Sequence, residues 1–255
     1  VRRRLVVLGI VMATLAAPAC SRGGRGSGDG AVTVSAAASL TGAFTRIGRD
    51  FEAANDGVTV TFNFGPSDGL ANQIQEGAPV DVFAPASPTW MDAVQDDPGV
   101  SGRTDFARNR LAIVVPGGNP AAIATLDDLT RSGVKLVLAA EGVPAGDYAR
   151  QILEHAGISR AALANVVSNE EDVKGVITKV LSGDADAGFA YVTDVTPDVA
   201  DRVDLVEIPD EQNVIATYPI AVVAGSKQTQ LARRFVDFVL GPGRDVLRRF
   251  GFLPA

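Results

Sequence analysis

The stretch Val32–Phe44, VTVSAAASLTGAF, decides how the rest of this chain is read. A β-branched run enters a patch of alanines, presents Ser39 and passes at once into a helical pattern. Leu40, Phe44, Ile47 and Phe51 fall four, three and four residues apart, which lines one face of an α-helix. A strand feeding directly into a helix is the repeating unit of α/β folds. The spacing predicts Ser39 as the N-cap, where its hydroxyl and the free N–H groups of the first turn can point at one bound anion. The alanines before it hold bulky side chains away, so a compact ligand can approach the backbone. Serine caps any helix equally well, so Ser39 acquires a function only if other donors converge on it.

Outward from this junction, strand-like and helix-like segments alternate. Strands are expected at Val58–Phe64, Val80–Ala84, Leu111–Val115, Lys135–Ala139, Asn165–Ser168, Ala187–Tyr191, Asp204–Ile208 and Ile220–Val223. Helices are expected at Leu70–Glu76, Thr89–Val94, Leu126–Arg131, Gly146–His155, Val173–Leu181, Thr229–Leu240 and Arg244–Phe250. The alternation indicates α/β layers on mostly parallel sheets. At 255 residues and 46% hydrophobic content the chain has material for two lobes.

A net charge of −7 and a pI near 4.8 argue against nucleic acid or an anionic membrane surface as the main partner. Aromatics make up only 6% of the chain, which disfavours a site built on base or sugar stacking. The N-terminus reads as a targeting segment, with Arg2, Arg3 and Arg4 ahead of an apolar run from Leu5 to Leu15. Ala16, Ala17, Pro18 and Ala19 then lead to Cys20, the only cysteine, so no internal disulfide can form. Residues 1–20 are expected to be a signal peptide ending at a lipid-attachment cysteine like that of bacterial lipoproteins, although Ala17 stands where such sites carry a large aliphatic residue. Residues 21–30, SRGGRGSGDG, read as a tether. The folded part is thus expected outside the cytoplasm.

Further strand–helix junctions repeat the theme of the first. Ser67 lies in Gly65-Pro66-Ser67-Asp68-Gly69, which matches the G-x-S-x-G elbow of serine hydrolases in its strand–turn–helix setting. Such a hydrolase needs a late histidine, and the single histidine, His155, sits near a helix C-terminus, where helix-end polarity gives it an ordinary role. Val143-Pro144-Ala145-Gly146 opens one helix with small residues, and Asn169-Glu170-Glu171-Asp172-Val173 opens another with acids. Tyr191 ends an apolar strand, where a tyrosine usually packs its ring in the core and leaves its hydroxyl at the surface. The acidic pairs Asp96-Asp97 and Asp127-Asp128 lack cation-loop spacing and read as solvated surface. No metal-ligand set, phosphate-binding loop or dinucleotide fingerprint is present in the sequence, so no cofactor is expected.

Taken together, AAASLTGAF, LANQIQEGAPVDVF, Trp90-Met91-Asp92, VPAGDYA, EDVKGVITKV, the Tyr191 strand, YPIAVV and RRFGF occur in an order that resembles the molybdate-binding proteins of bacterial ABC importers. These are a branch of the type II periplasmic solute-binding fold, and the resemblance runs from about Val32 to Phe252. It implies two lobes, residues 31–112 with 218–255 and residues 113–217, joined by crossover strands. It also implies an oxyanion, molybdate or tungstate, held between them without any positive side chain. Ser39 and Ser67 would each give a hydroxyl and a backbone N–H, Ala145 and Val173 backbone N–H groups, and Tyr191 its phenol. The implied partners are a membrane permease with a cytoplasmic ATPase, and the implied state is a non-enzymatic monomer anchored by lipid. Many relatives carry a run of serines at the second junction. Here Pro66 removes one N–H donor, and Asp68 is expected to bring a carboxylate near the pocket. Binding of another tetrahedral oxyanion, such as sulfate or phosphate, is the alternative within the same fold, and a hydrolase using Ser67 the alternative outside it.

Overall fold

A computed structural model describes residues 30–255; the targeting segment, Cys20 and the tether up to residue 29 lie outside the described residues. Gly30, expected as the last tether residue, already opens the first strand. The strands are β1 (Gly30–Ala37), β2 (Val58–Gly65), β3 (Val82–Ala84), β4 (Val100–Asn109), β5 (Leu111–Pro116), β6 (Leu136–Ala139), β7 (Val166–Glu170), β8 (Ala187–Tyr191), β9 (Val203–Val206) and β10 (Ala216–Val223). They form two five-stranded sheets, ordered β2-β1-β3-β10-β4 and β7-β6-β8-β5-β9.

In the first sheet β1 is parallel to β2 and β3, while β10 is antiparallel to both β3 and β4. Four strands therefore run one way and β10 runs against them. In the second sheet β6 is parallel to β7 and β8, and β5 is antiparallel to β8 and β9. There β5 alone is reversed. The expected mostly parallel sheets are thus present, and each reversed strand is the one that arrives from the other sheet. β5 follows β4 across the single residue Arg110, and β10 follows β9 through residues 207–215.

The helices are α1 (Thr41–Ala53), α2 (Ser67–Gln75), α3 (Pro88–Asp96), α4 (Pro144–His155), α5 (Ser159–Leu163), α6 (Val173–Leu181), α7 (Thr229–Leu240) and α8 (Gly243–Arg249). Phe44, Ile47 and Phe51 are buried along α1, as their spacing requires, and Phe51 meets Phe235 of α7 edge-on with ring centroids 5.4 Å apart. All four residues of β6 and all five of β8 are buried. That explains their uninterrupted apolar runs, since strands covered on both faces need no alternation.

Three elements depart from expectation. β4 was not expected, because VSGRTDFARN carries no alternating apolar pattern. It is an edge strand held by its pairing to β10, with two register irregularities, and buried only toward its end, at Phe106, Ala107 and Asn109. The expected helix at 126–131 is a 3-10 segment, Leu126–Thr130, led by a reciprocal cap between Thr125 and Asp128. The short α5 carries too few turns to show a period.

Because β1, β2 and β3 are parallel, their C-terminal ends lie at one edge of the first sheet. The ends of β6, β7 and β8 do the same in the second. In open α/β sheets this carboxyl edge, where helices begin, is where ligands bind. One contact fixes it closely. A Cβ on Gly146, in the first turn of α4, would lie 2.3 Å from the carbonyl oxygens of both Ala139 and Ala140. Glycine there lets α4 begin directly against the end of β6. Gly146→Ala is expected to destabilise the protein by about 1–3 kcal/mol, the usual cost of overpacking a tight site. A lowered midpoint in urea unfolding checks it.

Candidate functional site

One cavity lies where the two carboxyl edges face each other. Its lining includes Ser39, Ser67, Ala145, Val173 and Tyr191, all five residues singled out in the sequence. Around them stand Ala37, Ala38, Gly65, Pro66, Ala86, Val143, Pro144 and Asp172. It leaves about 20 Å³ for the centre of a water-sized sphere, a small space that opens toward solvent. Among the described residues, no lysine or arginine contributes to the wall.

Ser39 reaches the cavity differently from the expected way. A 3-10 turn, Ala38–Leu40, is inserted between β1 and α1, so Leu40 precedes the helix and no side chain caps it. The Ser39 hydroxyl is therefore not spent on a cap, and it lies 3.1 Å from the hydroxyl of Tyr218. Ser67 is the first residue of α2, which begins three residues earlier than expected, at the end of β2. Its Oγ accepts from the Ala86 N–H at 3.0 Å, which leaves its own proton free to donate. Ala145 and Val173 lie in the first turns of α4 and α6, where N–H groups have no partner within the helix.

Tyr191 is the most telling of the five. It is 1% exposed, and its hydroxyl, expected at the surface, is buried with no hydrogen-bond partner among the described residues. Such a group costs about 1–3 kcal/mol unless something fills the gap. Burial, then the nearby Tyr218 and Tyr148, pushes its ionisation well above the ordinary tyrosine range, so it remains a proton donor. The one carboxylate in the wall, Asp172, caps α6 by accepting from the Gly175 N–H at 2.9 Å. Asp68 is not part of the wall; it lies in the first turn of α2 with one carboxylate oxygen buried and unpartnered. The hydrolase constellation is not assembled at Ser67. The exposed His155 sits ten residues along α4 from Ala145, about 15 Å at the helical rise.

The model of the bacterial extracellular solute-binding protein family matches residues 32–253. This chain belongs to that family. It is 41% identical over 250 residues to a protein of Mycobacterium tuberculosis named molybdate-binding protein ModA, covering 97% of this chain and 94% of that one. The substrate-binding domain of a molybdenum ABC transporter from Clostridium difficile is 30% identical, with a TM-score of 0.68 over 89% of this chain and 99% of that one. The sulfate-binding protein SubI of Mycobacterium tuberculosis superposes with a TM-score of 0.75 at 19% identity, covering 88% of this chain and 87% of that one, a likeness of fold.

For a two-lobed solute-binding protein the contacts across the cleft matter as much as its wall. Trp90 of α3 donates its indole N–H to the Gly142 carbonyl at 2.7 Å, and Lys174 of α6 donates to Thr41 Oγ1 at 2.6 Å. The Tyr148 hydroxyl lies 3.4 Å from the Ala86 carbonyl. Trp90 stood within a quoted motif, but nothing local marked its partner; Tyr218 lay unremarked in YPIAVV. These pairs join residues 52 to 179 positions apart, beyond any local pattern.

Asp194 supports the Tyr191 backbone, accepting its N–H at 3.1 Å. The residue keeps some surface in solvent, yet desolvation of its carboxyl outweighs that bond and the nearby Lys174, raising it to about 7. A carboxyl raised on folding binds its proton more tightly in the folded state. Its contribution is complete below the ordinary carboxylate range and is lost as pH rises through about 7. Stability measured by urea unfolding is therefore expected to fall between about pH 4 and pH 7. The fall should be shallower in Asp194→Asn, and an unchanged slope counts against this assignment.

Proposed function

We propose that this protein is an extracytoplasmic receptor that captures molybdate or tungstate between its lobes and delivers it to the permease of an ABC importer powered by a cytoplasmic ATPase. The observation that carries this reading is a small cavity, still open toward solvent, lined by hydroxyl and backbone N–H donors with no cationic side chain among the described residues. The M. tuberculosis relative named molybdate-binding protein, 41% identical across nearly the whole chain, supports the choice of ligand.

Burying a dianion is costly unless hydrogen bonds replace its hydration. In this reading Ser39 and Ser67 give hydroxyl and backbone protons, Ala145 and Val173 give N–H groups, and Tyr191 fills its open valence on the anion. The helix starts at Ser67, Ala145 and Val173 add partial positive charge, each up to about half a unit. The one carboxylate in the wall, Asp172, is engaged on the Gly175 N–H, and the remaining donors give a protonated anion no acceptor, which disfavours hydrogen phosphate. Sulfate carries the same charge as molybdate, so discrimination rests on size, the metal–oxygen bonds being longer. Residues 31–112 with 218–255 would move against 113–217, and closure follows because the anion meets both sets of donors only when the lobes are together. Lipid attachment at Cys20, action as a monomer and the absence of catalysis belong to the same proposal.

Isothermal calorimetry with molybdate, tungstate, sulfate and phosphate tests it. Tight binding of the first two and weak binding of the others is expected; equal or stronger sulfate binding would replace the ligand assignment. Ser39→Ala and Tyr191→Phe are each expected to weaken molybdate binding by about 1–3 kcal/mol. Unchanged affinity in both moves the site elsewhere.

A further inference from the structure

We propose that Tyr218, which is not in the cavity wall, is a positioning residue that aims the Ser39 hydroxyl proton into the cavity. The proposal rests on the anion site described above and adds to it the origin of one donor's direction. A serine hydroxyl rotates freely and can present either a proton or lone pairs. An oxyanion has only acceptor oxygens, so a hydroxyl facing it with lone pairs repels it. Ser67 has its direction set, because its oxygen already accepts from Ala86 N–H at 3.0 Å. Ser39 has no such backbone donor; its side-chain partner is the Tyr218 hydroxyl at 3.1 Å, with both residues buried.

Geometry alone leaves the direction of that bond open, and chemistry settles it. A phenol is the stronger acid and the poorer acceptor, since its oxygen lone pair is shared with the ring. The serine oxygen is the better acceptor. Tyr218 therefore donates to Ser39, and Ser39 can complete its own bonding only by donating onward. Burial holds Tyr218 far above its ordinary ionisation range, so this proton is present at all working pH values. The ring is locked in place. It is 0% exposed and meets Phe252, Phe106 and Tyr191 with centroids 5.6, 6.3 and 5.9 Å away. Tyr218 also lies on β10, the strand by which the chain returns from the second sheet to the first. The strand carrying one crossing between lobes thus also sets the orientation of a donor in the site.

The test is a double-mutant cycle on the purified protein, with molybdate affinity read by calorimetry and folding by thermal melting. Tyr218→Phe alone is expected to weaken binding by about three- to tenfold, the loss of one oriented hydrogen bond. In a Ser39→Ala background the same substitution should cost nothing further, because the hydroxyl it orients is gone. A packing role for Tyr218 predicts the opposite, an equal loss in both backgrounds. Equal losses, or no loss from Tyr218→Phe in the presence of Ser39, overturn the proposal while leaving the site intact. Unchanged affinity in Ser39→Ala also overturns the proposal, and unchanged affinity in Tyr191→Phe besides overturns the site reading itself. If Tyr218→Phe does not fold, 3-fluorotyrosine at position 218 keeps the ring and makes a stronger donor. Held or tightened binding then supports the direction of the bond, and clearly weakened binding overturns it.

Discussion

A cavity that offers protons but no cation can hold a doubly charged anion only if every donor points inward and water is kept out. That constraint connects the parts of this molecule. Parallel strands bring their carboxyl ends to one edge, and the helices that follow begin there with unpaired N–H groups. Two such edges, set face to face, surround a small space with donors from both sheets. The reversed strands β5 and β10 are the consequence of building the two sheets from one chain that crosses twice. The buried hydroxyl of Tyr191 has no partner among the described residues, and in the proposed function it is the anion that supplies one.

How much of this could be read from the sequence depended on whether the signal was local. α6 at Val173–Leu181, β8 at Ala187–Tyr191 and α7 at Thr229–Leu240 have the expected bounds, because each buries a face or a whole run that its own residues announce. The five residues marked at strand–helix junctions meet in one cavity for a similar reason, since junctions of parallel strands share an edge. Failures came where another part of the chain supplies the stabilisation. β4 exists through β10, and the carboxylate in the wall is that of Asp172, which caps its own helix. Ser39 was expected as a cap; a 3-10 turn takes over the entry into α1 and leaves its hydroxyl for Tyr218, 179 residues away.

Polar contacts join the two sides of the cleft beside the packed rings of Tyr191 and Tyr218. Trp90 to Gly142 and Lys174 to Thr41 each bridge the two sides at the rim. The first is half-buried and the second exposed, and an exposed bond of this kind is individually weak. In the proposed receptor, a ligand touching both sides would supply the differential affinity that closes the cleft. Asp194 and Tyr218 lie behind the wall and act on it through Tyr191 and Ser39, so the site has a supporting layer as well as a surface.

The central claim, an oxyanion held by neutral donors from both lobes, is tested most directly by a crystal structure of the protein with molybdate bound. The anion is expected in the cavity, with its oxygens about 2.7–3.1 Å from the hydroxyls of Ser39, Ser67 and Tyr191 and from the N–H groups of Ala145 and Val173, and with no lysine or arginine in contact. An anion bound elsewhere, or held in this cavity by a cationic side chain, would contradict it.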